Sequence, residues 1–156
     1  MFDRNPNGEV ESDRVVRVLL VDDSLLFIQA VEEYLRLVRN PSCEVVGRAS
    51  CGQEALRLTA EVKPDLVLLD LVMPGMNGLE TARQIKALPD PPRVIALTFY
   101  DLPAYHQAAL NAQVDGFVGK ADFAARLMPY IRKLFSVRSR FVTRRKLSHE
   151  HRAGSR

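Results

Sequence analysis

The stretch DLVLLDLVMPGMNG, residues 65–78, decides the fold. Residues 66–69 are Leu-Val-Leu-Leu with no polar alternation, as expected of a short strand covered on both faces in a parallel sheet. Asp70 follows at once, and Met73-Pro74-Gly75-Met76-Asn77-Gly78 supplies the turn chemistry that ends the segment. The same grammar recurs in the apolar runs at 15–21 and 94–97, in the brief Phe117-Val118, and in a weaker candidate at 44–49. Between them lie helical spacings: Ile28, Val31, Leu35 and Val38; Ala55, Leu56 and Val62; Leu79, Ala82 and Ile85; and finally Leu127, Ile131 and Leu134. Strand and helix alternating five times predict an α/β architecture with helices on both faces of a parallel sheet. Asn40-Pro41, Lys63-Pro64 and the prolines at 89–92 end successive helices, because proline disfavours helical geometry in the residue before it. Pro129 falls inside the last helical pattern, where it either kinks the helix or marks its first turn.

A chain of 156 residues, 47% hydrophobic and 26% charged, is long enough to bury one core and has the composition of a globular domain. No apolar run approaches the ~20 residues that cross a bilayer, and the charged start lacks a signal peptide's apolar stretch, so a cytoplasmic protein without membrane insertion is expected. Cys43 and Cys51 lack the C-x-x-C spacing of a metal knuckle and are read as buried or idle thiols. Residues 136–156 carry seven basic residues against one acid, so the net charge of +3 conceals an acidic balance over the rest of the chain. Residues 1–13 are read as a flexible leader, 14–135 as the folded domain, and 136–156 as a basic tail or linker.

Chemistry-bearing side chains follow the strands directly. Asp22 and Asp23 end the first, Asp70 the third, Thr98 the fourth, and Lys120 comes just after the fifth. Each alone has an ordinary role as a turn, cap or surface residue. In an open parallel sheet, however, the carboxyl ends of the strands share one edge, where ligands bind near the point at which strand order reverses. Three crowded carboxylates require a cation or a proton among them. Mg2+, which binds through one or two carboxylates plus phosphate oxygens and keeps several waters, suits such a cleft. A carboxylate is itself a competent nucleophile that forms an aspartyl phosphate.

On the motifs LLVDDS (19–24), DLVLLDLVMPGMNG (65–78), VIALT (94–98) and DGFVGK (115–120), the sequence resembles the receiver domain of two-component response regulators. The resemblance spans roughly residues 14–135 and implies a doubly wound five-stranded parallel sheet of flavodoxin-like order 2-1-3-4-5. It makes Asp70 the phosphoacceptor, Asp23 a direct Mg2+ ligand and Asp22 a ligand through water, with Asp70 and the Val72 carbonyl completing the protein donors. Lys120 then pairs with Asp70 or its phosphate, Thr98 is the hydroxyl that turns toward the phosphoryl group, and Phe117 holds the aromatic switch position. Val72 and Tyr100 stand where receivers tune the lifetime of the phosphorylated state.

Three departures from the family pattern stand out. Ala121 replaces a common proline, so no cis peptide is expected after Lys120; Phe99 replaces a small residue and is expected to narrow access to Asp70; Phe117 lacks the tyrosine hydroxyl often found there. The resemblance implies a phosphoacceptor signalling domain, not an enzyme acting on a separate substrate, that receives phosphate from a histidine kinase or a histidine phosphotransfer protein. Its output would be a downstream protein target, with homodimer formation on phosphorylation as one form of that contact. A stand-alone receiver is the leading expectation. The alternatives are a receiver belonging to a longer DNA-binding transcription regulator, and a basic tail that binds nucleic acid directly, although nucleic acid is not an expected partner of the receiver itself.

Overall fold

The fold is described here for residues 14–135 of a computed structural model. Its centre is β3 (Leu66–Asp70), all five residues of which are buried. Around it lie β1 (Val16–Val21), β2 (Cys43–Ala49), β4 (Arg93–Thr98) and β5 (Gly116–Gly119). All neighbours pair in parallel, in the order β2-β1-β3-β4-β5. The doubly wound sheet expected from the motifs is therefore the observed one. Consecutive side chains of a strand face opposite sides, so the unbroken apolar runs feed two cores at once. Val18, Leu20, Leu66, Leu68, Ile95 and Leu97 pack beneath α1 (Leu25–Leu37) and α5 (Phe123–Phe135). Leu19, Val21, Val67, Leu69 and Val94 pack beneath α2 (Gly52–Val62) and α3 (Gly78–Lys86).

The helices follow the spacings in the sequence. Ile28, Val31 and Leu35 are the buried stripe of α1, Ala82 and Ile85 that of α3 with Gly78 and Thr81, and Leu127 and Ile131 that of α5 with Met128. In α2 the stripe is Gly52, Ala55 and Thr59, while Leu56 and Val62 are only half-buried. The fourth helix, α4 (Pro103–Asn111), gave no periodic signal because Ala109 is its single buried residue. Pro129 lies within α5, six residues after the helix begins, which removes the first-turn alternative for it. The one cis peptide among the described residues is Asn40–Pro41, so the bond after Lys120 is trans. Both cysteines are free and half-buried, and burial pushes the Cys43 thiol up to about 11, well away from a reactive thiolate. The leader and the basic tail lie outside the described residues.

Candidate functional site

The carboxyl edge of the sheet collects the residues that the sequence marked. Asp22 follows β1 and its backbone is fixed by a hydrogen bond from its N–H to Ala49 O at 3.0 Å. Its Oδ1 accepts from Ser24 N at 2.8 Å, and Ser24 in turn caps α1 by accepting from Phe27 N at 3.3 Å. Half of the Asp22 carboxylate thus does turn work. The other oxygen, Oδ2, is buried and receives no directed hydrogen bond, although Lys120 Nζ stands 2.5 Å away. Asp23 is exposed beside it.

Asp70 closes β3 with its side chain almost wholly buried. Its Oδ1 accepts from Val72 N at 3.0 Å and its Oδ2 from Lys120 Nζ at 3.1 Å. Burial pushes the Asp70 carboxyl above the ordinary range; the bond from Val72 and the Lys120 charge pull against this, and Asp22 adds to it. Gly78 lets the start of α3 return against this strand: its N–H donates to Leu71 O at 3.1 Å, and a Cβ there would come within 2.5 Å of Leu71 Cα. Gly75 turns the intervening loop with a φ of +81°, the left-handed region that favours glycine.

Asp22, Asp23 and Asp70 each bring one carboxylate oxygen to within 4.8 Å of the others. Three hard oxygen donors gathered around a single ammonium leave net negative charge and fit an Mg2+ ion. Thr98, fully buried at the end of β4, accepts from Tyr100 N at 3.1 Å through its hydroxyl oxygen, which leaves the O–H proton to donate elsewhere.

Phe99 is exposed, and its ring centroid lies 5.1 Å from Lys120 Nζ, so it roofs the ammonium. Tyr100 turns toward α4 and stacks on Tyr105 at 5.7 Å. Phe117 on β5 carries the ring of His106 at 3.8 Å between centroids, and Asp101 Oδ1 lies 2.5 Å from His106 Nε2. Two contacts escaped sequence reasoning. Phe27 approaches Lys120 Nζ to 4.5 Å from its ring centroid, and His106 covers Phe117. Neither has a sequence signal, since only the crossover topology brings positions 27 and 120 together and α4 shows no apolar stripe.

A family model for the response regulator receiver domain matches residues 18–132. The chain is 41% identical over 88 residues to the transcriptional regulatory protein LiaR of Bacillus subtilis, covering 56% of this chain and 41% of that protein. It is 30% identical over 122 residues to the response regulator GacA of Pseudomonas aeruginosa, covering 78% of this chain and 56% of that one. The chain thus spans about half the length of the curated relatives it matches. Among solved structures, the signal receiver domain of NarL from Mycobacterium tuberculosis superposes with a TM-score of 0.73 at 34% identity, covering 80% of this chain and 99% of that one. With the sheet order, the acidic cluster and the buried lysine at its carboxyl edge, these likenesses establish that the chain belongs to the receiver domains of two-component response regulators.

Proposed function

We propose that Asp70 accepts a phosphoryl group from a histidine kinase or a histidine phosphotransfer protein in a Mg2+-dependent reaction, and that this switches a protein-contact surface. The observation that carries this reading is the buried ammonium of Lys120 lying between Asp22 and Asp70. An Asp70 oxygen attacks the donor's phosphorus; the P–N bond breaks, its electron pair stays on the imidazole nitrogen, and that nitrogen takes up a proton. The product is an acyl phosphate on Asp70. Asp23, Asp70 and the Val72 carbonyl would hold Mg2+ directly and Asp22 through water, and the ion would supply positive charge to the transferring phosphoryl oxygens. Lys120 balances the charge of the remaining oxygens, and the Thr98 hydroxyl donates its free proton to one of them. The domain thereby takes part in its own phosphorylation and dephosphorylation without turning over a separate substrate.

Thr98 at the end of β4 pairs in register with Gly119 of β5, while Phe117, two residues earlier on β5, lies opposite Ala96. Movement of the Thr98 hydroxyl therefore reaches Phe117, whose ring carries His106 of α4. Phosphorylation biases this surface of α4, β5 and α5 toward a downstream protein or a second copy of the chain. A transcriptional output is favoured by the likeness to LiaR, a transcriptional regulatory protein. Incubation with acetyl phosphate and Mg2+ should add one phosphoryl group to the intact mass, and chelation should abolish the gain. No gain at any Mg2+ concentration would overturn the proposal.

A further inference from the structure

We infer that Phe27 is a positioning residue for Lys120, holding the ammonium by the face of its ring; this rests on the role proposed for Asp70. Lys120 is 5% exposed. An ammonium has three N–H donors and no acceptor, and a buried one with an empty side is costly. One side of Nζ faces Asp70 Oδ2 at 3.1 Å and Asp22 Oδ2 at 2.5 Å. The Phe27 and Phe99 rings, at 4.5 and 5.1 Å, supply attraction to the same charge. An aromatic face carries negative quadrupolar potential and attracts a cation within about 6 Å of its centroid.

Phe27, rather than Phe99, provides the fixed wall. Phe99 is 68% exposed, whereas Phe27 is half-buried in the first turn of α1. The Phe27 ring meets Phe123 edge-to-face at 5.4 Å, and Phe123 meets Tyr34 in the same way at 5.4 Å. The Tyr34 hydroxyl donates to Ala124 O at 2.8 Å. This ladder ties the orientation of the Phe27 ring to the packing of α1 against α5. It also makes the attraction independent of the carboxylates. When a metal engages Asp22 and the charge at Asp70 changes on phosphorylation, the ring still keeps the ammonium at the site.

The test separates quadrupole from volume. Site-specific 3,4,5-trifluorophenylalanine at position 27 keeps the ring's shape but drains its negative face; the same residue at position 123 perturbs the Phe27–Phe123 edge contact while leaving the ammonium's partners intact. With acetyl phosphate at saturating Mg2+, the fluorinated Phe27 protein and Phe27→Leu should be phosphorylated about three- to thirty-fold more slowly. Phe27→Tyr and the fluorinated Phe123 protein should stay within about twofold of the parent. In the unphosphorylated parent, the ε-methylene protons of Lys120 should be shifted upfield by the ring current, and Phe27→Leu should lose most of that shift. A parental rate for the fluorinated Phe27 protein, or equal slowing at position 123, would mean that the ring acts only through packing and would overturn the inference. If no protein is labelled, the parent included, the role of Asp70 fails, while an absent upfield shift would independently refute the contact.

Discussion

Lys120 is the residue on which the site turns, because two almost wholly buried carboxylates share its one charge. Burial and the excess negative charge make the ionised form of Asp70 costly. Asp70→Asn removes the group that burial already disfavours as an anion, and leaves Asp22 and Lys120 as a matched pair. That variant should melt later than the parent in metal-free buffer and respond less to added Mg2+, as thermal unfolding with and without the ion would measure. A second residue-scale prediction concerns the lifetime of the signal. Val72 and Tyr100 are exposed on the loops beside Asp70 and Thr98, and neither presents an obvious base to an attacking water. Val72→Asn with Tyr100→Glu should raise the rate of phosphate loss several-fold, followed by the decay of the phosphorylated mass; an unchanged rate would remove these side chains from that role. The five polar residues were legible in the sequence because each directly follows an apolar run. Phe27 was not, since its significance depends on a partner 93 positions away.

Individual elements were legible to the degree that they bury a stripe. The segments α1, α3 and α5 announce themselves through large apolar residues three or four apart, whereas α4 meets the sheet through Ala109 and leaves Leu102 and Leu110 largely exposed at its ends. The shortness of β5, four residues with two glycines, reduced it to Phe117-Val118 in the sequence. At Gly78 an element boundary becomes part of the site. A methyl group there would collide with Leu71 and with the carbonyl of Asp70, which are backbone atoms that cannot rotate away. Gly78→Ala should therefore cost about 1–3 kcal/mol in urea unfolding and weaken Mg2+ binding by displacing the end of β3. Retained stability and affinity would show that the loop at 71–77 absorbs the methyl.

Across the whole molecule, aspartates do different work at the two edges of the sheet. At the edge opposite the site, Asp65 accepts from Arg17 N at 2.9 Å, while Asp115 accepts from Lys86 Nζ at 2.8 Å, Val94 N at 2.8 Å and Arg93 at 3.0 Å. Burial alone would push Asp115 up, but these donors together hold its carboxyl below the ordinary range. A depressed carboxyl stabilises the fold above its unfolded pKa, and that contribution is lost as pH falls through the folded value. Asp115→Ala, which leaves the mostly buried Lys86 without its charge partner, should cost about 2 kcal/mol at pH 7. The difference from the parent should shrink as urea titrations move below about pH 4. Sequence position alone distinguishes the two groups of acids: those preceding strands clip the fold, and those following strands gather where the order of strands reverses.

Locating the acyl phosphate tests the phosphoacceptor role of Asp70 most directly. After treatment with acetyl phosphate and Mg2+, borohydride reduction converts a phosphorylated aspartate to homoserine, which peptide mass spectrometry can place in the chain. Homoserine is expected at position 70 alone, and none in Asp70→Asn. Homoserine at position 22 or 23 of the parent with Asp70 unmodified would contradict that role.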